Sequence, residues 1–190
     1  DEFFGPLSRM LTDEPAVHHP GRYDENGKWM DGWETRRRRG PGHDHAIVAL
    51  ATPGRIRGFD VDTAYFTGNY PTACAIEGCH APGGPDEATD WVTLVAASPL
   101  GPSAQHFFDC AADGLFSHVR LRIYPDGGVA RLRVYGIPAL APAEEPIDLA
   151  SALSGGQVVA LSNGHYGHQR LLAPGRGVNM GDGWETSRRR

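Results

Sequence analysis

The sequence predicts an all-β protein, one complete β-sandwich repeat followed by the truncated start of a second, and three observations predict it. The nine-residue string DGWETRRRR at 31–39 returns as DGWETSRRR at 182–190, and an internal repeat decides architecture before any local pattern does. Short segments alternate apolar and polar residues with the period of two that half-buried strands require. The 25 Gly and 15 Pro concentrate between those segments, where turns need them, and no long amphipathic helical pattern competes.

Phe4-Gly5 followed by Arg9-Met10-Leu11 returns as Tyr166-Gly167 followed by Arg170-Leu171-Leu172, so the second copy starts near Gln157. The longer insert of the first copy, 12–30 against 173–181, belongs in a surface loop. Strands are expected at 46–51, 56–63, 73–79, 91–96, 105–109, 118–124 and 130–134. In the sixth, Val119, Leu121 and Ile123 should face a core while His118, Arg120, Arg122 and Tyr124 point away. In the last, Leu132 and Val134 should point inward and Arg131 and Arg133 outward. The turn Pro125-Asp126-Gly127-Gly128 makes these two strands a hairpin. About eight strands at this spacing suit a sandwich or jelly roll. Prolines and acidic residues in IPALAPAEE (137–145) read as linker, with a short helix at 146–153. The expected division is 1–136 for the first repeat, 137–156 for the linker and 157–190 for the start of the second. That second copy is expected to be incomplete and the chain clipped at its front, which should leave Val158, Val159, Leu171 and Trp184 exposed.

Composition narrows the function classes. A formal charge of −5 argues against a general nucleic-acid binder, which needs a positive excess on one face. No apolar stretch is long enough to span a bilayer, and DEFFGPLSRM has neither the basic start nor the apolar centre of a signal peptide. A soluble, cytoplasmic protein is the expectation. Cys74, Cys79 and Cys110 lack CxxC pairing, so inert thiols are expected in place of a disulfide framework or a Cys-based zinc site.

Four clusters carry chemistry. In an extended Asp31-Gly32-Trp33-Glu34-Thr35-Arg36, Trp33 would anchor a core while Glu34 and Arg36 face the other side. Those arginines are either solvated or paired with Glu34, or one of them grips a carboxylate through its planar donor fork. Gly42-His43-Asp44-His45 offers imidazoles and a carboxylate that move protons or ligate metal, but no third ligand stands at motif spacing. No cofactor is implied, and a divalent metal stays open. Asp60 and Asp62 share one strand face; paired carboxylates repel, which raises the proton affinity of one. Asn69, in the loop that follows, carries both a donor and an acceptor, which suits a ureido group. Asp60 and Asp62 are expected to converge with His118 and Arg120 beside the Gly68-Asn69 and Gly127-Gly128 turns.

The blocks GHDHAIVALATPGRIRGFDVDTAYFTGNYPTACAIEGC, SPLGPSAQHFF and SHVRLRIYPDGGVARLRVYG, with the two DGWET motifs, resemble the allantoicase family. They run through nearly the whole first repeat and into the second. The resemblance implies two jelly-roll repeats of the galactose-binding-like type and hydrolysis of allantoate to ureidoglycolate and urea in purine degradation. It marks Glu34, His43, Asp44, Asp60, Asp62 and His118 as catalytic candidates, and Asp31, Arg36, Asn69, Arg120, Asp126 and Arg131 as substrate-binding candidates. His45 departs from the Trp usual in GHDWAIV, Ala97 from the basic residue usual before SPLGP, and the second copy has no counterpart of the acidic Asp1-Glu2. Partners are expected to be a small-molecule substrate and, in the intact protein, other copies of the chain, with neither nucleic acid nor membrane. The alternative from another class is a noncatalytic ligand-binding sandwich module.

Overall fold

A computed structural model describes residues 1–139, 148–165, 167–179 and 181–188, in two compact units, 1–140 and 141–190. The first unit runs α1 (Leu7–Met10), β1 (Tyr23–Asp24), β2 (Gly27–Lys28), β3 (Trp33–Glu34), β4 (Asp44–Asp62), β5 (Ala73–Cys79), β6 (Val92–Pro99), β7 (Gln105–Asp109), β8 (Phe116–Tyr124), β9 (Gly128–Val129) and β10 (Arg131–Pro138). The all-β class is as expected.

The two segments expected at 46–51 and 56–63 form one strand. Thr52-Pro53-Gly54 is a bend in β4, where the register shifts between Ala49 and Gly54, and not a turn that ends it. That bend makes the sandwich. The first half of β4 pairs with β8, which continues to β5 and β6, while the second half pairs with β10 on one side and β7 on the other. A strand that changes layers at an irregularity is a recognised way to turn a sandwich corner. Both layers feed one core: Ile56, Phe59, Val61 and Leu132 meet Cys74, Ile76, Leu94, Val119, Leu121 and Ile123, with Trp33 and Met10 closing one end.

The expected hairpin between 118–124 and 130–134 does not form, because β4 lies between β8 and β10. After Pro125 the chain crosses from one layer to the other, pairs briefly as β9 with β3, and then joins the far side of β4. Burial of Val119, Leu121 and Ile123 is as expected, but Arg131 is not outward in the solvated sense: its side chain is only 4% exposed. Residues 9–16 cover it. Its Nε donates to Glu14 O (2.8 Å), its Nη1 to Arg9 O (3.1 Å), Asp31 O (3.1 Å) and Ala130 O (2.7 Å), and its Nη2 to Pro15 O (3.3 Å) and Asp31 Oδ2 (2.7 Å). Arg133 donates in the same way to the carbonyls of Thr12, Asp13 and Glu14.

In the second unit the recurring motif rebuilds the contacts of the first. Trp33 Nε1 donates to Asp1 O at 2.8 Å, and Trp184 Nε1 to Asn163 O at 2.8 Å. The amide of Arg36 donates to Asp1 Oδ1 (3.2 Å), that of Ser187 to Asn163 Oδ1 (3.3 Å). A Cβ on Gly5 would collide with Gly32 O, and one on Gly167 with Gly183 O. Trp33 is fully buried, whereas Trp184 is 40% exposed, since the described residues of this unit contain no counterpart of the strands that cover Trp33. Val158, Val159 and Leu171 are exposed too, as expected. The short helix expected at 146–153 appears only as a 3-10 turn, Ala152–Ser154; positions 146 and 147 lie outside the described residues. Of the expected linker, 137 and 138 belong to β10.

Removing one member of a buried ion pair strands the other, at a cost of about 3–5 kcal/mol. Arg131→Met should lower the stability of the chain by about that much, read as the urea-unfolding midpoint by Trp fluorescence. Arg36→Ala, which breaks an ion pair whose arginine side chain is 61% exposed, should cost less than about 1 kcal/mol.

Candidate active site

Strand β3 sets the site. Trp33 and Glu34 pair with Val129 and Gly128, and because Trp33 enters the core, Glu34 must leave by the opposite face. It does not reach bulk water: it is 8% exposed. Asn69 Nδ2 donates to Glu34 Oε1 at 2.6 Å, and the Asn69 loop is itself held by Gly128 N donating to Asn69 O at 2.8 Å. Glycine is required beneath that loop, since a Cβ on Gly127 would strike the Asn69–Pro71 backbone and one on Gly128 the Phe66 ring, and Gly127 has φ +131°. Burial raises the Glu34 pKa above the ordinary carboxylate range; the Asn69 hydrogen bond opposes this and the charge of Asp24 adds to it.

Glu34 and Asn69 line two adjoining cavities. One, of about 450 Å³, is completed by Phe4, Thr35, Arg37, Arg38, Tyr70 and Asp126 among others. The other, of about 320 Å³, adds Lys28, Met30, Tyr65 and Thr67. On the wall of the larger, the Arg38 amide donates to Asp126 Oδ2 (2.7 Å), and its guanidinium bonds Asp44 Oδ1 and His43 O. Burial pushes the Asp44 pKa up, but hydrogen bonds from Thr35 and Arg38 and the Arg38 charge outweigh it, so Asp44 sits below the usual range. His43 is also lowered, by desolvation first and then by Arg122, His45 and Arg38. The result is a carboxyl of raised proton affinity on the cavity wall and, beside the Arg38 guanidinium, a carboxyl and an imidazole whose proton affinities are both lowered.

The expected convergence of Asp60 and Asp62 with His118 and Arg120 does not occur. Phe59 and Val61 point into the core, so Asp60 and Asp62 face outward from the β10-side layer. His118 and Arg120 face outward from the other layer. Arg120 bonds Glu77 Oε2 through Nε and Nη2, both at 2.6 Å, and lies 4.3 Å over the Trp91 ring; His118 Nδ1 sits 2.9 Å from Ser117 Oγ. Asp31 is held by Arg131 and by the Val17 amide. Arg36 is drawn to Asp1 and packs over Phe3, while its neighbour Arg37 lines the larger cavity and its guanidinium makes no ion pair among the described residues. Glu34, Asn69 and Asp126 are therefore together, with Asp44 and His43 behind them. Thr35, Arg37 and Arg38 were not singled out in the sequence, where strict alternation after Trp33 placed Glu34 and Arg36 on one side; the strand ends at Glu34, so that parity does not continue. Among the described residues no group of three or more His, Cys, Asp and Glu is placed to hold a metal ion.

A carboxyl whose folded pKa is raised contributes stability that is present below its unfolded value and lost as pH rises through the folded one. Thermal stability should therefore fall as pH climbs from near the ordinary glutamate value of 4.5 through the raised value. Glu34→Gln keeps an acceptor for Asn69 and removes the buried charge. Its melting temperature at pH 7 should equal or exceed that of the unsubstituted chain, with the gap closing below pH 4.5. A variant less stable at pH 7 would contradict the assignment.

Comparison with known proteins places these residues in a family. The allantoicase repeat model matches residues 1–139 and 147–190. A probable allantoicase of Rhizobium meliloti is 70% identical over 193 residues, covering 100% of this chain and 57% of that protein. One of Acinetobacter baylyi is 50% identical over 193 residues, covering 100% and 58%. A solved allantoicase structure superposes with a TM-score of 0.73 at 34% identity, over 100% of this chain and 59% of its own, and the Saccharomyces cerevisiae allantoicase with 0.69 at 34%. The chain thus spans less than three fifths of the length of these relatives, and it belongs to the allantoicase family.

Proposed function

We propose that the protein of which this chain carries the first repeat is a cytoplasmic hydrolase that converts allantoate and water to ureidoglycolate and urea, and that the Glu34–Asn69 cavity is where the reaction takes place. The observation that carries the reading is Glu34 itself: a buried carboxyl of raised pKa, inside the repeated motif, on the wall of a cavity large enough for a small polar acid. The reaction breaks one C–N bond at the carbon that bears the carboxylate and two ureido groups, and forms a C–O bond from water. The water proton ends on the nitrogen of departing urea. A carboxyl whose proton affinity is raised can, when protonated, donate to that nitrogen, and as carboxylate it can then deprotonate the attacking water. Asn69 gives one N–H to Glu34 and keeps its carbonyl for a ureido N–H. Arg37 takes the anion-gripping role expected of Arg36, while Asp126, Asp44 and His43 hold the Arg38 segment in place. Arg131 acts as a positioning residue through Asp31.

Three unpaired cysteines, two of them buried, suit a reducing compartment, and no helix among the described residues is long and apolar enough to cross a membrane. Urea release from allantoate by the complete protein is the test. Glu34→Gln should lower kcat about a hundredfold or more with folding intact, and Arg37→Lys should chiefly raise KM, because the charge stays while the fork is lost. Binding of allantoate without any release of urea would favour a noncatalytic module.

A further inference from the structure

A third cavity, of about 550 Å³, lies over the outward face of β4 and β10 and is lined by Asp60, Asp62, Gln105, Arg133, Tyr65 and Ser103 among others. Asp60 is its anomaly. The residue is 3% exposed, its Oδ2 accepts from Gln105 Nε2 at 2.9 Å, and its Oδ1 is buried with no hydrogen-bond partner. A buried carboxylate oxygen without a donor is costly, and a bound group that supplies the donor is one way a structure offsets that cost. The neighbouring carboxylate Asp62 uses Oδ1 to accept from the Ala64 amide.

The rim of this cavity is strained. Tyr65 (φ +67°) and Ser103 (φ +46°) are the non-glycine residues with left-handed backbone among the described ones, and the Tyr65 amide donates to Ser103 Oγ at 3.1 Å. A bulky residue in that region costs free energy, and such residues gather at ligand clamps. Tyr65, stacked on His18 with ring centres 5.3 Å apart, also lines the smaller Glu34 cavity.

We propose that this cavity is a second ligand site, taking a planar group with two parallel N–H donors, a ureido or guanidinium group, which seats on Asp60 by displacing Gln105. The Gln105 carboxamide already shows the fit: its NH2 occupies one oxygen of Asp60, and one amide cannot serve both. A group with two parallel N–H bonds satisfies Oδ1 and Oδ2 together, the two-point geometry that carboxylates favour. Arg131 and Arg133 also line the cavity, but their guanidinium groups are engaged by the carbonyls of residues 9–15 and of Ala130 and by Asp31, and neither bonds Asp60.

The test is titration of the ¹⁵N-labelled chain with N-methylurea, methylguanidinium and, as control, acetate, followed by NMR. The Gln105 side-chain NH2 and the amides of Tyr65, Ser103 and Ala104 should shift with one or both of the N–H donors and not with acetate. Binding of the cation alone means that charge contributes, and binding of both means that shape suffices; either supports the site. Asp60→Asn should weaken binding at least about tenfold, and Gln105→Ala, which removes the internal competitor, should tighten it severalfold. Unchanged affinity in Asp60→Asn, weaker binding in Gln105→Ala, shifts confined to the Glu34 cavity, or no binding would each overturn the proposal. Should Asp60→Asn fail to fold by circular dichroism, Gln105→Ala decides alone, since that residue is exposed. No turnover is read, so failure here leaves the hydrolase reading standing.

Discussion

The guanidinium of Arg131 ties residues 9–15 and Asp31 to a strand about a hundred residues further along the chain, and the placement of Glu34 follows from that junction. Through its two Asp31 contacts it holds the entrance to β3; through Arg9, Glu14 and Pro15 it holds the N-terminal segment across the outer face of β10. Asp31 is two residues from Trp33. With its start tied to β10 and its centre paired with β9, β3 cannot slide, and Glu34 faces Asn69 as a consequence. Arg suits this task because its five N–H donors form a rigid planar fork and its charge is permanent.

Burial at the site is spent on pushing two carboxyl groups apart. Glu34 and Asp44 both lose water, but Asp44 receives Thr35 and Arg38 while Glu34 receives one amide N–H. Desolvation prevails at Glu34, whereas at Asp44 the hydrogen bonds and the Arg38 charge together outweigh it, so the two carboxyl groups differ in proton affinity in opposite directions. The pH dependence of folding and the proton transfer proposed for Glu34 have this single cause.

The two copies of the motif show which of its contacts are architectural. The indole N–H bond to the backbone, the side-chain oxygen that receives the amide three residues after the Trp, and the glycine-to-glycine approach recur in both units. What changes is the chemistry around them. The Asp1–Arg36 ion pair of the first copy becomes a neutral contact in the second, Asn163 Nδ2 donating to Ser187 Oγ at 2.7 Å. A turn held by backbone groups tolerates that exchange, since the side chains need only present one acceptor at the right place.

Much of the layout was legible along the chain. Strands 73–79 and 105–109 fall where alternation puts them, the inward set Val119, Leu121 and Ile123 is buried, and the recurrence of DGWET locates the second unit's motif. These are local properties, set by side-chain parity and by Gly and Pro in turns. Glu34 was marked by the repeated motif, Asn69 by carrying a donor and an acceptor in a glycine-containing loop, and Asp126 by the family resemblance. What sequence could not decide was which groups meet. Thr-Pro-Gly reads as a turn but is a bend inside β4, and that bend sends Asp60 and Asp62 to one outer face and leaves His118 and Arg120 on the other. Arg131 and Arg133 alternate as solvated residues would, yet a segment more than a hundred residues away covers them. Periodicity determined which side of its own strand each residue takes; only the tertiary structure decided what lies on that side, because pairing partners and covering segments come from distant parts of the chain.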